Sequence, residues 1–402
     1  MILIYSSMNN MQSIIKLEDS SLNTLTSKQG YYKVGNKLYH HKSNALIEAS
    51  RTKQNVNWNF NWNIYSTQAR RTRLNVPLSI LYRDRAQQLR DQYDYLILSF
   101  SGGADSDNIL KTFLNNKIKI DEIWVDWNIS MIEKSGYKLN LSKDASNMPS
   151  EWFLVIKPEL DKLRKDHPEI KIRVSESLTD LDTPEDNENS FQINSALIHV
   201  NYLKRVNCLR KYVQSISNNK SVAVICGVDK IIPYSKNGEY GIIFSDGATA
   251  NKSPAFENGD LCYEYFYWSP EVPEIAIEQG HRVWDYLLNN PEFTKIRMNS
   301  LTNGVDWRDR EKVFDEVIKS ICYPYWDFSK HQVNKGLHHA GTIFDCLTKF
   351  YSERFYEGSE SFLNSHYNLI DDRFLNPNYT KLRELKLFFN FHKLGNLPPI
   401  NL

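Results

Sequence analysis

The stretch Leu96-Ile97-Leu98-Ser99-Phe100-Ser101-Gly102-Gly103-Ala104-Asp105-Ser106 constrains this chain more than any other. The apolar run from Tyr95 to Phe100 reads as a fully buried strand. It breaks at two adjacent glycines, after which Ile109, Leu110, Phe113 and Leu114 recur at helical spacing. Asp121 to Trp127, with Ile123-Trp124-Val125 at its centre, reads as a second strand. Strand, helix and strand fit within about 33 residues, the size of a βαβ unit, so the two strands are expected to lie parallel.

The alternation extends in both directions. Leu78, Tyr82, Ala86, Leu89 and Tyr93 give a preceding helix, with Arg83, Gln87 and Arg90 on its polar face. Downstream comes a helix around Glu151–Lys165, capped by Ser150 and bent or divided at Pro158. A strand Ile170–Val174, an acidic loop from Asp180 to Asn189 and a long helix around Ala196–Ile216 follow. The next strand, Val222–Ile225, ends at Cys226-Gly227-Val228-Asp229-Lys230. Asn237-Gly238, between Ile231–Tyr234 and Tyr240–Phe244, predicts a hairpin appended to the same sheet. The expected fold class is α/β, a doubly wound, mostly parallel sheet over residues 76–290.

Residues 1–75 are expected to form a small β-rich N-terminal segment. Tyr31 to Leu46 suggests a hairpin around Gly35-Asn36. Asn55 to Ile64 alternates strictly, with Val56, Trp58, Phe60, Trp62 and Ile64 on one face and Asn on the other. That face either packs on the core or offers a platform for bases or a partner; half-buried strands alternate in this way routinely, which favours the core. Beyond about Pro291 the pattern is mainly helical, near Arg310–Ser320, Thr342–Tyr356 and Thr380–Phe391. Residues 291–402 are therefore expected to be a helical C-terminal region.

Charge removes several functions. With 49 Lys+Arg against 48 Asp+Glu, the 402 residues carry a net charge of +1 and no field to steer toward nucleic acid or an anionic membrane. No run approaches the roughly 18 apolar residues of a membrane helix, and the opening Met1 to Tyr5 lacks the basic region of a signal peptide. Cys208, Cys226, Cys262, Cys322 and Cys346 are scattered and never form a CxxC pair, which argues against a disulfide scaffold or a four-cysteine zinc site. A reduced, cytoplasmic protein is the expectation. The abundance of Asn, Lys and Ile is common in AT-rich genomes, including those of phages.

A buried strand entering two glycines and then a helix bares backbone N–H groups at the positive end of the helix. Ser101 and Ser106 add hydroxyls, so Ser101, Gly102, Gly103, Ala104, Asp105 and Ser106 make an expected phosphate cradle. Asp105 would repel a bare phosphate, which points to Mg²⁺ between its carboxylate and the phosphate oxygens. The loop is neither a Walker A sequence, since no GxxxxGK[ST] is present, nor a GxGxxG dinucleotide fingerprint.

Ser101 to Ser106 resembles instead the SGGxDS signature of the PP-loop, or N-type ATP pyrophosphatase, superfamily, which has an adenine-nucleotide α-hydrolase-like fold. That superfamily includes the ligase domain of asparagine synthetases and the phosphoadenosine-phosphosulfate reductases. Asp107 stands where Ser or Thr often follows. The resemblance implies a loop that grips the β,γ-pyrophosphate of ATP while a substrate oxygen attacks the α-phosphorus, releasing pyrophosphate and leaving an adenylated substrate. Adenosine would then lie at the carboxyl edge of the sheet, near Val125, Asp126, Trp127 and Gly227, although Asp126 reads equally as a solvent-facing strand end. Without a loop lysine, Lys230 is the expected phosphate-neutralising cation, with Asp229 as a second metal or orienting group. Arg83 and Arg90 are weaker candidates, and Arg70-Arg71-Arg73 reads as a solvated patch.

Missing features prune the superfamily. No C-terminal ECG-type cysteine, no paired cysteines and no cysteine after the initiator Met support a sulfonucleotide reductase, a thiolating enzyme or an in-chain amidotransferase. Tyr267 to Glu274 and Tyr323-Pro324-Tyr325-Trp326-Asp327 read as aromatic loops that line an acceptor pocket or pack C-terminal helices on the sheet, and they are reminiscent of phage-encoded PP-loop proteins. His338-His339 lack a further His or Cys at ligand spacing. The expected activity is an ATP- and Mg²⁺-dependent adenylation of a small-molecule or nucleotide acceptor, with no membrane and no generic nucleic-acid partner. The alternative is a phage structural or regulatory protein, in host cytoplasm or virion, that uses the fold as a scaffold toward a second copy or an assembly partner.

Overall fold

The computed structural model describes residues 30–39, 42–69, 73–127, 151–176, 200–227, 231–246, 262–291, 316–330 and 389–397. Val228, Asp229 and Lys230, the acidic loop, His338-His339 and the helix expected at Thr342–Tyr356 lie outside them.

The chain opens with β1 (Tyr31–Val34), β2 (Lys37–Tyr39), α1 (Lys42–Thr52) and β3 (Val56–Asn59), followed by α2 (Trp62–Ala69). β1 and β2 form the expected hairpin around Gly35-Asn36, but it ends at Tyr39 and α1 takes Lys42 to Leu46 of the expected span; β3 joins β1 antiparallel. Val56, Trp58 and Phe60 are buried, as a core-packing strand requires. The strand expected to run to Ile64 instead ends at Asn59. Asn61 takes a left-handed φ of 50°, which Asn tolerates better than most residues, and Asn59 Oδ1 accepts the Trp62 N–H at 3.2 Å to start α2. Among the described residues the lead-in thus combines a three-stranded sheet with two helices, and Trp62 is exposed.

Next come α3 (Leu78–Gln92), β4 (Tyr95–Ser99), α4 (Ala104–Asn115) and β5 (Glu122–Asp126). A π-helix, Trp152–Ile156, runs into α5 (Lys157–Asp166), so the expected helix divides close to Pro158. Then follow β6 (Lys171–Ser175), α6 (Val200–Ser217), β7 (Val222–Cys226), β8 (Ile232–Lys236), β9 (Glu239–Ser245), β10 (Cys262–Tyr265), α7 (Glu274–Asn289) and β11 (Phe389–Asn396), with a further helical stretch at 316–322.

Five strands form one parallel sheet in the order β10-β7-β4-β5-β6. From β4 the chain builds outward through β5 to β6, then returns to the other side of β4 for β7 and β10. The order reverses between β4 and β7, and such a reversal opens a crevice at the carboxyl ends of the two strands. Leu96, Ile97 and Leu98 of β4 and all of β7 are buried, the continuous apolar run of a sheet covered on both faces. α3 and α4 pack together on β4, while α6 sends the Tyr212 hydroxyl to Glu122 Oε2 at 2.5 Å. No helix among the described residues is long and apolar enough to cross a membrane.

Two expectations fail at the C-terminal side. The β8–β9 hairpin forms around Asn237-Gly238, but β9 pairs with β11 in a separate antiparallel sheet, β11-β9-β8. Phe389 to Phe391, expected to end a helix, begin that strand, so the C-terminal region is not wholly helical. The partner lies well over a hundred residues away, and backbone pairing across such a distance leaves no local period. Asn390 sews β11 to the lead-in, donating to Trp58 O at 2.7 Å and accepting from Phe60 N at 2.6 Å.

β11 also carries His392 into an aromatic cluster with Trp62, Tyr65 and Phe244. Its Nδ1 is 3.4 Å from Ser66 Oγ, and burial pushes the imidazole down to about 3. An unfolded chain protonates this histidine near pH 6.5, so folding is opposed once the pH falls below that value. Stability is expected to drop by about 1.3 kcal/mol between pH 7 and pH 5.5 on account of this one group. Urea unfolding of wild type and His392→Leu at pH 7 and pH 5.5 measures it. Equal pH losses in the two proteins would remove His392 as the cause.

Candidate functional site

The loop between β4 and α4 occupies the crevice at the strand-order reversal. Phe100 extends the ladder by donating its N–H to Trp124 O at 2.8 Å. Gly102 then takes φ +77°, and a Cβ there would lie 2.6 Å from Ile156 Cγ1 of the π-helix. Both the left-handed backbone and the close neighbour demand glycine at this position. Gly103 is the N-cap of α4 and contributes no side-chain cap. Asp107 N returns to Gly103 O at 3.0 Å, while the N–H groups of Ala104, Asp105 and Ser106 precede the first intrahelical bond.

The two serines brace this turn. Ser101 N donates to Ser106 Oγ at 3.2 Å, and Ser106 Oγ lies 3.1 Å from Gly103 O and 3.2 Å from Ser101 Oγ. Ser106 is buried and directs its single O–H inside the loop. Ser101 is exposed, but its Oγ also engages the loop, accepting from Gly103 N at 3.4 Å and lying 3.2 Å from Ser106 Oγ. The cradle at hand is therefore made chiefly of backbone.

Gly227, directly after β7, closes the other side of the crevice. A Cβ on it would lie 3.1 Å from Asp105 Cβ and 3.2 Å from Ser106 N. The structure thus brings Gly227 against the loop.

At the end of β5, Val125 is buried, and Asp126 Oδ1 accepts from Ser175 Oγ at 3.1 Å instead of simply facing solvent. Trp127 stacks on Trp152 of the π-helix, with ring centroids 6.3 Å apart.

Asp105 is held from two directions. Tyr267 donates its hydroxyl to Asp105 O at 2.9 Å and accepts from Asn108 Nδ2 at 3.0 Å. Tyr323 donates to Asp105 Oδ1. Both tyrosines come from the aromatic loops, which pack against the head of α4.

Asp107 is fully buried and ion-paired. Lys330 Nζ is 2.7 Å from its Oδ1, Lys111 Nζ is 2.8 Å from its Oδ2, and Lys330 also meets Glu159 at 3.0 Å. Burial works against the Lys330 ammonium, but the hydrogen bond to Asp107 and the charges of Asp107 and Glu159 outweigh it and raise its pKa. Lys111 further donates to Tyr325 O at 2.9 Å, so residues 316–330 are strapped across α4. Lys330 is not legible locally, because it lies 223 residues from Asp107, whereas Lys111 stands one turn on in the same helix.

The arginine candidates are engaged elsewhere. Arg83 pairs with Asp84 at 2.7 Å and Arg90 with Asp121 at 2.6 Å. Arg73, expected in a solvated patch, reaches Glu278 at 3.5 Å and also pairs with Asp285, fastening the approach to α3 onto α7. Among the described residues no group of three His, Cys, Asp or Glu side chains could hold a metal on its own.

Comparison of the chain with protein-family models, with curated proteins and with solved structures gave no significant match.

Proposed function

We propose that the chain binds Mg·ATP in the β4–α4 loop and cleaves it between the α- and β-phosphates, transferring adenylate to a small carboxylate, amide or nucleobase acceptor. One observation carries the reading: SGGADS, a PP-loop-like sequence, sits between a parallel strand and a helix at the reversal point of the strand order. Three N–H groups at the head of α4 and the bare backbone of Gly227 suit an anion, since a larger residue at 227 would crowd the Ser106 N–H. The donor set also suits Mg²⁺. Among the described residues Asp105 Oδ2 has no hydrogen-bond partner, and one carboxylate plus phosphate oxygens and water is the usual environment of this ion in nucleotide sites. Bound there, Mg²⁺ would supply charge neutralisation for the pyrophosphate leaving group. The backbone amides would orient that group and Asp105 would fix the metal, while Val125, Asp126 and Gly227 border the space for adenosine. Asp229 and Lys230, two and three residues after Gly227 in the sequence, are the proposed second carboxylate and phosphate-neutralising cation.

The test is product analysis after incubating the full chain with ATP, Mg²⁺ and panels of the three acceptor classes. AMP and pyrophosphate are expected, and Asp105→Ala should lower their formation by at least about a hundredfold, the scale at which loss of a charge-stabilising group acts. ADP and orthophosphate as products would sink the α-phosphate reaction. Tight Mg·ATP binding with no AMP from any panel would identify a nucleotide-binding scaffold.

A further inference from the structure

We infer that Tyr323 is a positioning residue for the metal-facing carboxylate, holding Asp105 Oδ1 so that Oδ2 is presented to the cation; this rests on the proposed Mg·ATP site. A carboxylate on the first turn of a helix has several rotamers, and only some aim an oxygen beyond the helix end. Tyr323 removes that freedom through a hydrogen bond to an ionised acceptor, the stronger kind.

The tyrosine is itself fixed. Its ring is buried and lies 5.3 Å from that of Tyr267, whose hydroxyl holds the carbonyl of the same aspartate. Its N–H donates to Lys319 O at 2.8 Å. The preceding carbonyl, Cys322 O, accepts from Tyr82 of α3 at 2.5 Å, and Gln279 of α7 donates to that same Tyr82 hydroxyl at 2.7 Å. Asp105 is thereby referenced to α3 and α7, outside its own loop. A phenol is well suited to this task, because it is neutral and leaves the full negative charge of the carboxylate to the metal. A lysine or arginine in its place would compete with Mg²⁺.

The experiment compares ATP affinity by calorimetry in excess Mg²⁺ and in EDTA, for wild type, Tyr323→Phe and Asp105→Asn. The ratio of the two dissociation constants is the metal-dependent gain. Tyr323→Phe keeps the ring, so its affinity in EDTA should equal that of wild type, while its gain should fall about tenfold, the scale of one hydrogen bond to a charged group. Asp105→Asn should abolish the gain, and adding Tyr323→Phe to it should change nothing further. If Tyr323→Phe keeps the full gain while Asp105→Asn loses it, the positioning role is wrong and the nucleotide site stands. If Asp105→Asn also keeps the gain, Asp105 does not face the metal and both readings fall.

Should the phenylalanine variant not fold, 4-fluorophenylalanine at position 323 replaces it. This residue keeps the ring and a small para substituent but has no hydroxyl hydrogen to donate. Its metal-dependent gain should fall about tenfold, as for phenylalanine; a full gain overturns the inference.

Discussion

Arg85→Met is expected to destabilise the protein by about 3–5 kcal/mol, the cost of stranding a buried charge. Arg85 is fully buried on α3, and its guanidinium meets Glu264 Oε2 at 2.9 Å, Tyr265 O at 3.0 Å, Gln88 Oε1 at 2.9 Å and Glu271 Oε2 at 3.2 Å. Glu264 on β10 is only 1% exposed, so without the arginine its carboxylate would be left in the interior with tyrosine and thiol neighbours. Methionine fills similar volume, which confines the loss to the charge. Chemical denaturation measures the effect, and the double variant Arg85→Met/Glu264→Leu should recover much of it, because a buried pair replaced whole by apolar groups is often neutral. A single variant within about 1 kcal/mol of wild type would mean that the pair is already solvated. The consequence reaches the loop, since β10 runs directly into Phe266 and Tyr267, and Tyr267 holds the Asp105 carbonyl.

What could be read from the sequence was whatever is encoded over short distances. A buried strand, a glycine pair and an amphipathic helix announce β4, the turn and α4, because their periods and the φ +77° of Gly102 are properties of neighbouring residues. Repetition of that unit implies a parallel sheet, and the five parallel strands follow. The alternating face of Val56, Trp58 and Phe60 packs inward for the same reason. Period alone, however, could not reveal that the Asn face carries its own turn at Asn61, because the alternation in composition continues through it.

Long-range pairings were hidden for a different reason. β11 becomes a strand because the edge of β9 is available to it, and Asp107 is buried because Lys330 arrives from across the chain. The aspartate that departs from the PP-loop pattern therefore belongs to a strap that holds residues 316–330 on α4. Tyr323 was visible only as part of an aromatic loop, with two roles open. In the structure it packs and also hydrogen-bonds Asp105, so one side chain joins the C-terminal strap to the candidate site.

Gly227→Val is expected to weaken Mg·ATP binding by more than about a hundredfold with a modest loss of stability, on the order of 1–3 kcal/mol for overpacking. Its Cβ would meet Asp105 Cβ at 3.1 Å, Asp105 C at 3.2 Å and Ser106 N at 3.2 Å. Two of those atoms are helix backbone and cannot swing aside, so the branch methyls would cover the Ser106 N–H or push α4 from β7. On the proposed function, either outcome would remove amides from the phosphates, and a hydrogen bond does not survive much beyond about 3.5 Å. Gly227→Ala should be intermediate, since a lone Cβ needs only a few tenths of an ångström. Gly238→Ala is the control for general destabilisation, because a Cβ there has no neighbour within 4 Å and only its left-handed φ of 75°, which Gly227 does not share, makes alanine costly. Calorimetric titration with Mg·ATP, alongside thermal melts, separates the two losses. Wild-type affinity in Gly227→Val would show that the nucleotide does not use the head of α4, whatever the loop sequence resembles. Lost affinity in Gly238→Ala as well would trace the effect to general destabilisation. Only a loss confined to position 227 ties the phosphates to the junction of β7 with α4, the place where the strand order reverses.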